Sequence, residues 1–141
     1  MAGKRTFTMI KPLAVEQGHA GKIIDRILEE GYLILALKMH HLCKREAKAF
    51  YAVHKERPFY NDLVDYMASG PVIAAILKKE NAVDDYRQLI GATNPADATP
   101  GTIRQLFGTD LSRNAVHGSD SDENAAIECR FFFSDMEEYE F

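Results

Sequence analysis

Cysteine is scarce in this 141-residue chain, positive charge is not in excess, and no long apolar run interrupts it. Each shortage removes a class of protein. The two cysteines, Cys43 and Cys129, have no metal spacing and are too few for an extracellular disulfide framework, so a reducing cytosol is the expected setting. No apolar stretch approaches the ~20 residues of a membrane-spanning helix. Met1-Ala2-Gly3-Lys4-Arg5 leads straight into a strand without the apolar core of a signal peptide, which again points to the cytoplasm. Lys and Arg number 17 against 21 Asp and Glu, a net charge of −4, whereas a constitutive duplex-DNA binder needs a basic face. The common phosphate loops are missing too. Gly18-His19-Ala20-Gly21-Lys22 has neither the Walker A spacing nor the dinucleotide fingerprint. Discrete Lys and Arg side chains and helix starts would therefore have to hold any bound phosphate. His40-His41 and Cys43 lack a second ligand pair, so zinc is not expected. Repeats, low-complexity tracts and linkers are also absent.

Hydrophobic residues at 46% and charged residues at 27% suit a globular fold. The length is that of one domain, residues 1–141, which buries roughly two thirds of its unfolded surface. Arg5 to Ile10 alternates polar and apolar and reads as a strand, stopped at Lys11-Pro12. His19 to Glu30 is an amphipathic helix with Gly31 as its C-terminal stop, and His19 is expected to be exposed near its start. Tyr32 to Met39 is almost wholly apolar and reads as an interior strand. Arg45 to His54 and, after Pro58, Phe59 to Met67 read as two shorter helices. Ser69-Gly70-Pro71 is a turn before a third strand, Val72 to Leu77. Asn81 caps a helix through Ile90, and Thr99-Pro100 opens a short helix ending at Gly108. A loop to Asn114, a very short strand at Ala115 to His117 and a helix from Asp122 to Phe132 complete the chain. The acidic end, Asp135 to Glu140, reads as solvated. This order predicts an α+β fold: a ferredoxin-like, four-stranded antiparallel sheet with helices on one face and an inserted helical pair.

Arg113 to Ser121 is the stretch richest in chemistry. His117 stands beside Gly118, which leaves room for a large group near the ring, and before Ser119, Asp120 and Ser121, all good helix N-caps. Asp120 with Glu123 also has capping-box spacing. The free amides of a helix start favour anions, so an accessible histidine here can serve as a phosphoryl carrier. Taken alone, a single histidine in a polar turn is most simply a surface residue. Lys11 at a strand exit, Arg87, Thr93 and Arg104 offer phosphate ligands, but individually they read as solvated charges or caps. Tyr51 and His54 share a helix face; Phe59 and Leu63 read as core.

Four blocks change that reading. Asn114-Ala115-Val116-His117-Gly118-Ser119-Asp120-Ser121 closely resembles the active-site signature of the nucleoside diphosphate kinases. The likeness continues in Thr6-Phe7-Thr8-Met9-Ile10-Lys11-Pro12, in Ser69-Gly70-Pro71-Val72, and in Gly91-Ala92-Thr93-Asn94-Pro95-Ala96-Asp97 through Arg104. The blocks keep the family's order and spacing over essentially the whole chain.

The resemblance implies a ping-pong transfer of the γ-phosphoryl group of ATP or another nucleoside triphosphate to nucleoside diphosphates, through a phosphohistidine at His117. It assigns phosphate contacts to Lys11, His54, Arg87, Thr93 and Arg104, and ribose contacts to Lys11 and Asn114. Phe59 and Leu63 would sandwich the base, and stacking reads no hydrogen-bonding edge, so broad substrate use follows. Tyr51 would stabilise the transferred group, and Glu128 would hold one ring nitrogen of His117. Mg2+ would be carried by phosphates and water rather than side chains. A homo-oligomer built from dimers is implied, with tetramer and hexamer both open. Two departures stand out. Leu13 replaces an Asp common in relatives, outside the phosphate set. The Gln105 to Leu111 segment is unfamiliar in a loop that makes subunit contacts in hexamers. The chain also stops at Phe141, short of the C-terminal extension of some relatives. Competing readings are a phosphohistidine relay to a protein partner and a nucleotide-sensing binding protein; the latter would have lost His117, Lys11, Arg104 or Asn114, and all are present.

Overall fold

A computed structural model of the chain describes residues 3–141, so the Met1-Ala2 start of the stretch that bore on secretion lies outside them. Strands β1 (Arg5–Ile10), β2 (Leu33–His40), β3 (Val72–Lys78) and β4 (Val116–Gly118) form one sheet in the order β2-β3-β1-β4, with antiparallel pairing throughout. The helices are α1 (Pro12–Glu16), α2 (Ala20–Glu29), α3 (Lys44–Phe50), α4 (Tyr60–Met67), α5 (Ala82–Ile90), α6 (Ile103–Phe107) and α7 (Asp122–Phe132). The expected sheet and inserted α3–α4 pair are present.

Alternation along the strands makes two cores rather than one. Phe7 and Met9 of β1, with Ala74 and Ile76 of β3, pack under α3, α4 and α7. Ile10, Ala75 and Leu77 point the other way, against Ile23 and Ile27 of α2 and Tyr86 and Ile90 of α5. Helices therefore cover both faces; the expectation of one covered face holds only for α2 and α5. Burying each large apolar side chain contributes about 1.5–3 kcal/mol.

Several local expectations are corrected. Pro12 stops β1 but also opens α1, because its fixed φ suits the first helical position. β2 is an edge strand, not an interior one: Leu33, Leu37 and Met39 are exposed, and a bulge between Ile34 and Ala36 shifts the register. An apolar run alone does not distinguish the two. His19 is half-buried, its ring 5.1 Å from that of Phe107. The Arg45–His54 helix breaks at Tyr51 into α3 and a 3-10 turn, Ala52–His54. Asn81 adopts a left-handed φ of 54° and gives no side-chain cap to α5; its amide donates to Asp85 Oδ1 instead. The helix foreseen at Thr99-Pro100 starts only at Ile103, after Gly101 turns the chain at φ +91°. The acidic end is exposed as expected at Asp135, Glu137 and Glu140, but not at Glu138. Glu138 is paired with both Arg5 (2.6 Å) and Arg130, and Tyr139 N donates to Leu35 O at 2.9 Å.

Candidate active site

β1 and β4 set the chemistry because they deliver Lys11 and His117 to one end of the sheet. His117 lies opposite Met9 in the ladder, and Lys11 N donates to Ala115 O at 2.8 Å just beyond it. Ala115 has φ +76°, and Val116 N donates to Asn114 O at 3.0 Å, a tight three-residue turn. A non-glycine residue held there stores about 1–3 kcal/mol of strain, a feature found at functional sites.

His117 Nε2 lies 2.9 Å from Glu128 Oε1, and the two side chains are only 18% and 17% exposed. Ser119, fully buried, donates to the same carboxylate oxygen at 2.7 Å. A carboxylate accepts but does not donate, so Nε2 carries the ring proton and Nδ1 keeps its lone pair. Among the described residues no group is hydrogen-bonded to Nδ1. Phe50 and Tyr51 meet the imidazole edge-on, at centroid distances of 5.2 and 6.1 Å, and fix its plane.

Around the ring lies a cavity of about 640 Å³, in the usual range for a small-molecule site. Every residue nominated from the sequence lines it: Lys11, Tyr51, His54, Phe59, Leu63, Arg87, Thr93, Arg104, Asn114, His117 and Glu128. Phe59 and Leu63 form an apolar wall, with the His54 ring 5.6 Å from that of Phe59. Lys11 Nζ donates to Ser112 O at 3.2 Å but is otherwise enclosed; burial, reinforced by the Arg104 charge, lowers its pKa to about 7. Arg104 is anchored by donation to Gly91 O (3.1 Å) and Val116 O (3.0 Å), and burial lowers its pKa to about 10. Asn114 Nδ2 donates to Thr93 O at 2.9 Å.

What these groups lack is informative. The Tyr51 hydroxyl, Arg104 Nε and Asn114 Oδ1 are buried without a partner among the described residues. Each such group costs about 1–3 kcal/mol unless something polar answers it. Among the described residues no carboxylate pairs with buried Lys11 or part-buried Arg104, and beside a histidine held by a carboxylate they make a site built for an anion that reaches the imidazole. Burial also pushes the Tyr51 hydroxyl well above its ordinary pKa, keeping it a neutral donor.

Sequence reasoning missed Phe50, Ser112 and Thr8, whose hydroxyl donates to His117 O at 2.9 Å. From the sequence Ser119 reads only as a cap. The cap of α7 is Ser121, which accepts from Asn124 N at 3.0 Å, while Asp120 Oδ1 takes Asn124 Nδ2 at 2.5 Å. His40 is engaged with Glu46 Oε1 and His41 with Ala68 O.

Comparison with known proteins points to one family. Residues 4–138 match the family model described as "Nucleoside diphosphate kinase". A nucleoside diphosphate kinase of Flavobacterium psychrophilum is 56% identical over 139 residues, covering 99% of this chain and all of the relative. The corresponding protein of Campylobacter concisus is 57% identical, covering 95% and 98%. Among solved structures, the Aquifex aeolicus nucleoside diphosphate kinase superposes with a TM-score of 0.94 at 47% identity, covering 96% of this chain and 98% of that one. The Halobacterium salinarum nucleoside diphosphate kinase, solved in complex with CDP, gives 0.94 at 38% identity, covering 98% and 92%. With the sequence, the fold and the residues around His117 all in agreement, the chain belongs to the nucleoside diphosphate kinase family.

Proposed function

We infer that this chain moves the γ-phosphoryl group of a nucleoside triphosphate to a nucleoside diphosphate through His117. The observation that carries the reading is the hydrogen bond from His117 Nε2 to Glu128, which leaves the Nδ1 lone pair at the cavity. In the first half-reaction Nδ1 attacks the γ-phosphorus, the bond to the bridging oxygen breaks, and the diphosphate departs with that electron pair. The ring becomes positive and Glu128, steadied by Ser119, balances it. In the second half-reaction a terminal oxygen of another diphosphate attacks the same phosphorus and the P–N bond breaks. One site serves both because the diphosphate that departs and the one that accepts differ only in base and sugar.

Lys11, Arg104 and the Tyr51 hydroxyl offset charge on the moving group, in a setting dry enough to strengthen their effect. Arg87, Thr93 and His54 hold the remaining phosphates. Asn114 and Lys11 take the ribose hydroxyls, and Phe59 and Leu63 stack the base. The halophilic relative crystallised with CDP supports a diphosphate as ligand.

The donor set fits magnesium brought in with the nucleotide. Of the carboxylates lining the cavity, Glu128 is committed to His117 and Ser119, leaving Asp120 at the rim. Magnesium accepts such an arrangement because it keeps most of its ligands as water and phosphate oxygens. When bound, it neutralises phosphate charge.

The chain works as one domain, in a homo-oligomer, in the cytosol. The exposed apolar residues along the β2 edge, Leu33, Leu37 and Met39, support self-association. None of the described helices is long and apolar enough to cross a membrane. The test is nucleotide exchange with ATP, magnesium and GDP. His117→Ala abolishes GTP formation while leaving the fold intact; exchange by the variant overturns the reading.

A further inference from the structure

The His117 backbone is held from the face of the sheet opposite its ring. Thr8 and Tyr86 lie on that side, 2% and 0% exposed, and their hydroxyl oxygens are 2.5 Å apart. Thr8 Oγ1 has a single proton, and it goes to His117 O at 2.9 Å. The proton between the two hydroxyls therefore comes from Tyr86. The result is a directed chain, Tyr86 O–H to Thr8 O–H to the His117 carbonyl, whose links polarise one another.

β4 needs such a brace. It is only three residues long, follows the strained turn at Ala115, and is the edge strand beside β1. Its ladder pairs only Val116, His117 and Gly118 with β1, so few ladder bonds define where the imidazole sits. The Tyr86 ring also packs on the strand: a Cβ at Gly118 would stand 3.1 Å from its Cδ2. α5 thus presses on β4 with the Tyr86 ring, while the Tyr86 hydroxyl grips Thr8 of β1 and reaches β4 only through it.

We propose that Tyr86 is a positioning residue for phosphoryl transfer, acting through Thr8 on the His117 carbonyl to hold Nδ1 in line with the phosphorus. The proposal rests on the phosphohistidine reading above. Misplacement of a reacting atom by about 1 Å costs up to about 100-fold in rate, and loosening one carbonyl clamp gives part of that.

Tyr86→Phe removes the hydroxyl and keeps the ring; Thr8→Val removes the middle link at equal size; Thr8→Ser retains it. The readouts are kcat and KM for nucleotide exchange, the rate of phosphoenzyme formation, and thermal unfolding. The expected result is a fall of about tenfold in kcat and in the phosphorylation rate for Tyr86→Phe and Thr8→Val, with KM within about twofold. Thr8→Ser stays near wild type, and the double variant is no worse than Thr8→Val alone, because the two act as one chain. Folded variants with wild-type kcat and only a lowered melting temperature overturn the proposal, as does a change confined to KM. A wild-type protein without exchange activity sinks the phosphohistidine reading instead, so the two failures are distinguishable.

Discussion

Replacing Lys11 with methionine removes a charge that the fold tolerates poorly and keeps most of the stem's volume. Lys11 is 6% exposed, and burial together with Arg104 brings its pKa from 10.5 to about 7. That fall corresponds to roughly 5 kcal/mol of preference for the neutral amine in the folded state. The unfolded chain keeps its proton up to about pH 10.5 while the folded chain gives it up near pH 7. Unfolding therefore takes up a proton within this window, and stability rises with pH across it. The penalty is fully present below pH 7 and relieved above it, a gain of about 3.5 kcal/mol between pH 7 and pH 10. At about 2–4 °C per kcal/mol for a chain this size, that is a rise of roughly 10 °C in melting temperature. Lys11→Met has no such window. At pH 6 it should be the more stable protein by about 4 kcal/mol, after allowing about 1 kcal/mol for the bond lost to Ser112 O. Urea unfolding of both proteins from pH 6 to pH 10, taken as a difference, isolates this residue from every other titration. Parallel curves would refute the view that Lys11 is held strained for an incoming anion.

The same strain makes nucleotide binding proton-linked. At pH 8, binding of ATP with magnesium should take up close to one proton as Lys11 regains its charge, seen in the dependence of binding heat on buffer ionisation enthalpy. Glu128→Gln keeps a hydrogen-bond partner for His117 but removes the balancing charge, so kcat should fall by about 10- to 100-fold at nearly constant KM. Arg104→Lys cannot reach both Gly91 O and Val116 O with a fixed fork; kcat/KM should fall at least tenfold and stability by about 1–3 kcal/mol. Glu138→Gln, whose side chain is 8% exposed between Arg5 and Arg130, should lower stability by about 1–3 kcal/mol without slowing exchange.

The parts of this molecule visible in the sequence are those whose cause is local or whose residues recur as blocks. The β1 alternation, the α2 stripe and the break at Gly91 follow from periodicity and backbone sterics. Lys11, Thr93, Arg104, Asn114 and His117 lie in the four blocks; Tyr51, His54, Phe59, Leu63, Arg87 and Glu128 lie outside them and follow only from the family's matching positions. What stayed hidden depends on partners that only the folded chain brings together. Glu138 finds Arg5 across 133 residues, and Ser119 finds Glu128 only once α7 folds back. β2 read as interior because apolar residues on both faces do not reveal which edge lacks a neighbour. The Thr8–Tyr86 pair was invisible for the same reason, since a threonine and a tyrosine 78 residues apart have no shared pattern.

The central claim is that Glu128 holds Nε2 so that Nδ1 takes the phosphoryl group. Incubating the protein with ATP and magnesium, isolating the acid-labile, base-stable adduct and locating the phosphorus by 31P NMR tests it directly. Phosphorus on Nδ1 of His117, discharged by added GDP, is the expected result. Phosphorus on Nε2, on another residue or nowhere would contradict it.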